Sequence, residues 1–212
     1  MLPAPTADLA RAEADLRQHG VCMVADALDA PTLTRTHDAL YRAAADDLDR
    51  GRVVKFGLDH AHDDTNQRVW ALPSRDAVFC DLVERPAALA LVTAMIGWPA
   101  LLSNIAANIT GPGGGEMVLH ADQLSMPQPW SGGQGVNVAW CLDDFTEATG
   151  ATRIVPGSHA LKPDAHARGG ERRRQRPARR AWVSSTASHR ADAPPPRPLR
   201  PLSRANIDFC VL

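Results

Sequence analysis

GGGEMVLHADQ, residues 113–123, is the stretch whose reading decides the fold of this chain. Three glycines lead into a short apolar approach, Met117-Val118-Leu119, and then His120-Ala121-Asp122-Gln123. In an extended strand, side chains alternate faces with period two, so His120 and Asp122 point one way and Ala121 the other. An imidazole and a carboxylate on one face are two of the three protein ligands of a facial triad. Such a triad leaves open positions on a non-haem Fe(II). The motif alone also fits a surface strand with a local His–Asp pair, so its meaning rests on the residues that follow.

LHADQLSMPQPW (119–130) is followed by GVNVAWCLDDFTEATGATRIVPGSH (135–159). In order, these segments hold a His-x-Asp strand, a Pro/Trp-rich loop and an apolar strand ending in Leu142-Asp143-Asp144-Phe145-Thr146. A Gly turn and Pro156-Gly157-Ser158-His159 complete the series. The stretch resembles the phytanoyl-CoA dioxygenase family of Fe(II)- and 2-oxoglutarate-dependent oxygenases. The resemblance is strong over about residues 100–160, weaker but compatible over 15–100, and largely fails after Lys162.

It implies a mainly β protein with flanking helices: a double-stranded β-helix, a jelly-roll or cupin-like barrel whose C-terminal part is incomplete in pattern. The cofactors it implies are Fe(II), 2-oxoglutarate as co-substrate, and dioxygen. The implied activity is hydroxylation of a small organic substrate, coupled to decarboxylation of 2-oxoglutarate to succinate. With Asp122 present, a carboxylate fills the position that halogenating relatives leave open for halide, so hydroxylation is expected over halogenation.

The metal set implied is His120, Asp122 and a distal His. Downstream candidates are His159, His166 and His189. His159 belongs to the Pro-Gly-Ser-His element and is expected to order the loop. His166 sits in a polar, glycine-adjacent run. His189, sixty-nine residues after His120, suits the family's spacing and is preferred. The far carboxylate of 2-oxoglutarate needs a bidentate donor, which favours Arg over Lys. By resemblance this is Arg204, just before the last strand, with Arg200 and Arg197 as fallbacks. Trp140 is read either as an aromatic facing the co-substrate or as a core Trp. Gln123 is expected to hydrogen-bond behind the ligands. His60 and His62, in LDHAHDD, fit an exposed acidic loop better than a second chelate.

At 212 residues the chain fits one domain with a sizeable core. Apolar content of 44% and charged content of 22% are ordinary for a soluble protein. Cys22, Cys80, Cys141 and Cys210 show no Cys-x-x-Cys spacing and read as buried free thiols of a reducing cytoplasm. The N-terminal stretch lacks an apolar leader core, and no run reaches membrane-spanning length.

The net charge of −1 hides a division. Residues 1–162 hold ten Arg and two Lys against twenty acids, giving −8. Residues 163–212 hold eleven Arg against four acids, giving +7. The first segment is read as the oxygenase domain with N-terminal helices, the second as an Arg/Pro-rich segment supplying the distal His and the final strand. Three readings of the second stand side by side: a nucleic-acid arm, a solvated tail, and a locally frame-shifted stretch. The first lacks interleaved aromatics for base stacking. The second is supported by composition. The third, in which Ala codons of a GC-rich gene read out of frame as Arg and Pro, is favoured. A strand pattern resumes at Arg204-Ala205-Asn206-Ile207-Asp208-Phe209-Cys210-Val211-Leu212. The partner expected is a small molecule, with neither membrane nor nucleic acid. The competing class is an oxygenase-fold protein with an incomplete triad, serving only as a binding module.

Helices are expected at 6–18, ended by Gly20, from Asp29 to about Asp49, and at 86–97. In the second of these, Leu33, His37, Leu40 and Ala44 recur at helical spacing. Strands are expected at Val21–Val24, Leu101–Ile109, Met117–Gln123, Val136–Leu142 and Thr152–Val155.

Overall fold

The computed structural model describes residues 2–54, 65–114, 134–146, 149–160 and, as backbone, 204–211. The expected strand Met117–Gln123 and the expected loop at His60 and His62 lie outside these residues.

Local chemistry sets the helices. Helix α1 is Leu9–His19, capped by the Asp8 carboxylate, which accepts from the Ala10 and Arg11 amides. Gly20 ends it at φ +72°, its N–H donating to the Leu16 carbonyl. Helix α2 is Ala30–Asp49. Asp29 caps it by accepting from Thr32 N at 2.7 Å, and Pro31 sits in the first turn. Its buried face is Thr32, Thr36, Ala39, Leu40, Ala43, Ala44 and Asp47, so Leu33 and His37 sit at the flank of the stripe rather than at its centre. Thr36 satisfies its hydroxyl on the Thr32 carbonyl at 2.8 Å.

The Thr32 amide holds the Asp29 carboxyl below the ordinary carboxylate range. A carboxyl depressed in the folded state stabilises above its unfolded pKa, near 4, and that contribution is lost as pH falls through the folded value. Asp29→Ala is therefore expected to lower Tm by about 2–4 °C at pH 7. The gap between wild type and variant should narrow as the pH falls through the lowered folded-state value.

Strand β1 is Asn66–Val69, helix α3 is Val78–Val83 and helix α4 is Pro86–Ile96. Gly97 stops α4 by donating to the Thr93 carbonyl at 3.0 Å. Strands β2 (Leu102–Thr110), β3 (Val136–Cys141) and β4 (Arg204–Val211) complete the sheet. Two expected strands are not formed. Val21–Val24 makes a single bridge, Val24 to Thr6, while Val21 and Met23 are buried. Thr152–Val155 joins no ladder; the chain there leads into a turn held against α1 instead. The described residues contain four helices and four strands, so helix outweighs the expected mainly β content.

The sheet runs β1-β2-β4-β3, every neighbouring pair antiparallel. The last strand in sequence therefore lies between β2 and β3. The core packs α2, α3 and α4 on one face of this sheet. Leu40, Leu72, Phe79, Leu82 and Val92 meet Val69, Ile105, Ala107, Ile109, Trp140 and Leu142.

Asp46 and Asp47 sit in the last turn of α2, where the helix dipole disfavours negative charge. Arginines offset this. Arg75 reaches Asp47, whose side chain is 5% exposed, at 2.7 Å, and Arg50 reaches Asp46 at 2.6 Å. Arg52 contacts both carboxylates.

Cys80 is exposed, contrary to expectation, because its position on α3 faces away from Phe79 and Leu82. Burial, then Asp15, pushes the Cys22 thiol up to about 11. Cys141 is buried. Iodoacetamide at pH 8 should modify Cys80 well before Cys22 or Cys141 in the folded protein, as peptide mass mapping would show. Equal labelling of Cys22 and Cys80 would contradict this packing. Among the described residues, no helix is long and apolar enough to cross a membrane.

Candidate functional site

His120, Asp122, Gln123 and His189 lie outside the described residues, as do His166, Arg197 and Arg200. The described residues fix the four-stranded sheet and the point at which the chain leaves β2 in the direction of His120.

The two faces of the sheet differ in chemistry. On the helix side stand Ile105, Ala107 and Ile109 of β2, Val136, Val138 and Trp140 of β3, and Val69 of β1. Period-two alternation puts Asn104, Ala106, Asn108 and Thr110 of β2, Asn137, Ala139 and Cys141 of β3, and Asn66 and Arg68 of β1 on the other side. The ladder agrees, since directly opposed residues share a face: Asn66 pairs with Thr110 and Arg68 with Asn108. A sheet with one apolar and one amide-rich face has a core on the first and polar business on the second. Asn108 donates to the Thr110 hydroxyl at 3.0 Å. The side-chain carbonyl oxygens of Asn66 and Asn108 are buried and have no hydrogen-bond partner among the described residues. Buried acceptors of this kind ask for a donor. They fit a face that receives a polar ligand.

The glycines of the opening stretch pack closely here. Gly111 N–H donates to the Thr65 carbonyl at 2.6 Å. A Cβ on Gly114 would meet the Thr110 methyl at 2.6 Å and the Thr65 hydroxyl at 2.9 Å. Only glycine allows that approach. It pins the chain to the end of β2 before the run toward His120.

Arg204 opens β4, as the sequence pattern predicts, and lies directly across the ladder from Thr110. Asn206 is flanked by Asn108 and Cys141, and Asp208 by Ala106 and Ala139. The β4 positions that pair with polar-face residues are thus Arg204, Asn206, Asp208 and Cys210.

Trp140 is a correction. It is 3% exposed and belongs to the core with α2, α3 and α4. The period of β3 turns it toward the helices, and its indole N–H has no partner among the described residues. The reading that it faces the co-substrate is replaced by the core reading. The polar-face positions of β3 are Asn137, Ala139 and Cys141. His159 orders its loop, as expected: its Nε2 lies 3.1 Å from the Arg17 carbonyl, and Gly157 N–H donates to the His19 carbonyl at 2.7 Å. The sequence reading did not single out Asn66, Asn108 or Thr110. The alternation Asn104-Ile105-Ala106-Ala107-Asn108-Ile109-Thr110 is the signal that would have found the last two.

Comparison with known proteins agrees with this architecture. The family model for phytanoyl-CoA dioxygenase (PhyH) matches residues 16–196, continuing past Lys162 and taking in His189. Dioxygenase af480 of Aspergillus fumigatus is 34% identical over 168 residues, 75% of this chain and 54% of that protein. Dioxygenase FUM3 of Gibberella moniliformis is 46% identical over 61 residues, 26% of this chain and 20% of that protein. The chain spans about half the length of the first of these relatives. Among solved structures, the non-haem α-ketoglutarate-dependent epimerase SnoN from nogalamycin biosynthesis has a TM-score of 0.62 at 17% identity, covering 96% of this chain and 82% of that one. HygX from Streptomyces hygroscopicus with nickel and 2-oxoglutarate bound also has 0.62 at 17% identity, with 95% and 85% covered. At these identities the structural likeness speaks for the fold. The sheet with its polar face and the family match over most of its length lead to one statement: the chain belongs to the phytanoyl-CoA dioxygenase family, a family of Fe(II)- and 2-oxoglutarate-dependent oxygenases.

Proposed function

We propose that this protein is an Fe(II)- and 2-oxoglutarate-dependent dioxygenase that hydroxylates a small organic substrate. The observation that carries this reading is the register of β4. It sets Arg204 beside Thr110 on the ladder positions of the polar face, at the end of β2 from which the chain departs toward His120 and Asp122. In this reading the four-stranded sheet is one half of a double-stranded β-helix.

His120, Asp122 and His189 would hold the metal, two imidazoles and one carboxylate being the donor set that suits non-haem iron. Arg204 would grip the far carboxylate of 2-oxoglutarate with its planar fork. Gln123 would brace the ligands by hydrogen bonding. When bound, iron with 2-oxoglutarate and dioxygen supplies the oxidising chemistry. The chain's own task is to place the substrate and keep water out. The apolar face, closed by Phe79, Leu82 and Trp140, gives the rigid backing that such placement requires. Asp122 occupies the carboxylate position, which favours hydroxylation over halogenation. A small-molecule substrate is supported by HygX, solved with hygromycin B bound.

The test is succinate formation from 2-oxoglutarate by the purified chain with Fe(II) under air. Iron-dependent succinate that disappears with His120→Ala is the expected result. Its absence from a folded, iron-supplied protein would favour the binding-module reading.

A further inference from the structure

Strand β1 runs out between two residues that the core holds completely. Val69 and Leu72 are both 0% exposed. Trp70 lies between them and is 39% exposed, outside the apolar cluster. Ala71 follows at φ +55°, a left-handed conformation that turns the chain at once into the 3-10 segment Leu72–Ser74. The indole is therefore carried by backbone anchored on both sides. Val69 pairs with Ala107 and faces the helices. Period two then sets Trp70 on the amide-rich face, together with Asn66 and Arg68 of its own strand. A single exposed aromatic is ordinary on a protein surface. This one shares its face with Asn66, which is 6% exposed. The carbonyl oxygen of that side chain is buried and has no hydrogen-bond partner among the described residues. A buried acceptor left open asks for a donor.

We propose that Trp70 and Asn66 form the part of the substrate site that recognises a neutral ring bearing hydroxyl groups. The proposal rests on the proposed function and deepens it by naming the substrate class. Each residue sets a separate requirement. The indole takes the face of a ring by stacking and dispersion. The Asn66 oxygen takes a hydrogen-bond donor. Arg68 stands between them on the strand and adds a positive charge, which disfavours an ammonium donor. A hydroxyl supplies the donor without the charge. Asn66 and Trp70 are four positions apart in the sequence. On extended backbone that separates their Cα atoms by about 13 Å, the scale of one ring with its substituents. An unsubstituted alkyl chain would leave the Asn66 oxygen unpaired, at the full cost of its lost hydration.

The test is a ligand-observed NMR titration of the full, metal-free chain with three probes: methyl glucopyranoside, resorcinol and hexanediol. The first two carry hydroxyls on a saturated and on an aromatic ring, and the third carries them on a chain. Wild type is expected to bind one or both rings more tightly than hexanediol, and which ring wins tells the saturated class from the aromatic one. Trp70→Ala should weaken ring binding by at least about fivefold and leave hexanediol unchanged. Trp70→Phe, which keeps an aromatic face, should restore ring binding to within about twofold. Trp98→Ala removes the more exposed indole between α4 and β2 and should change nothing. Asn66→Leu should weaken ring binding without lowering Tm, because it removes an acceptor that has no partner among the described residues. Ring affinity unaltered in Trp70→Ala, or hexanediol bound as tightly as either ring by wild type, overturns the inference. So does a fall in Tm in Asn66→Leu, which would make that amide structural. Iron-dependent succinate formation by the same preparation separates the two readings. Succinate without ring binding removes this inference alone. Ring binding without succinate removes the proposed function and leaves Trp70 in a binding module.

Discussion

On the proposed function, Asp122→Ala is expected to abolish turnover of 2-oxoglutarate. This is the largest effect expected of any single substitution in the chain. The variant would keep His120 and His189 and lose the only anionic donor of the proposed set. With it goes the charge that favours a dication over water. A bound metal contributes several kcal/mol to the reaction barrier, so loss of its site costs about a thousandfold or more in rate. Succinate release and Fe(II) titration measured together would check this. Turnover within tenfold of wild type in excess iron would remove Asp122 from the metal site.

Arg204→Ala should raise the KM for 2-oxoglutarate by about 30-fold to 1000-fold, the loss that follows when one partner of a desolvated charge pair is removed. The fold should survive, because β4 is held by backbone ladder bonds on both edges. Arg204→Lys should fall between the two, since an ammonium supplies charge without the bidentate fork. The change belongs in KM far more than in kcat. An unaltered KM in Arg204→Ala, with a large rise in Arg200→Ala or Arg197→Ala, would move the carboxylate grip to one of those residues.

Legibility in the sequence followed range. Helices α1, α2 and α4 were readable because their signals are local: Asp29 with Pro31 at one start, Gly20 and Gly97 at two ends. Strands β2, β3 and β4 were readable from apolar alternation within about a residue at each boundary. Strand β1 was not. Asn-Gln-Arg-Val carries a single large apolar residue, and its strand state comes from pairing with β2 across about forty residues. Helix α3 was missed because six residues are too short to show a period. Thr152–Val155 has strand composition, yet the turn after it is taken by α1.

For the site, the resemblance left Trp140 open between the co-substrate and the core, and in the folded sheet the alternation of β3 turns it to the helices. Counting by twos from Val136 is the sounder warrant. The placement of Arg204 beside Thr110 is a fact of register between strands 94 residues apart, and no local pattern contains it.

That register has a consequence for how the molecule is made. Strands β2 and β3 do not touch in the ladder; β4 joins them, and its pairs with β2 span 94 to 109 residues. A nascent chain can wind its helices and lay β1 on β2 early. Among the described strands, β3 then waits without a ladder partner until residues 204–211 are made. Contacts of such sequence separation are slow to close, and open strand edges recruit other chains meanwhile. Synthesis of residues 204–211 thus sets the earliest moment at which this four-stranded sheet is whole.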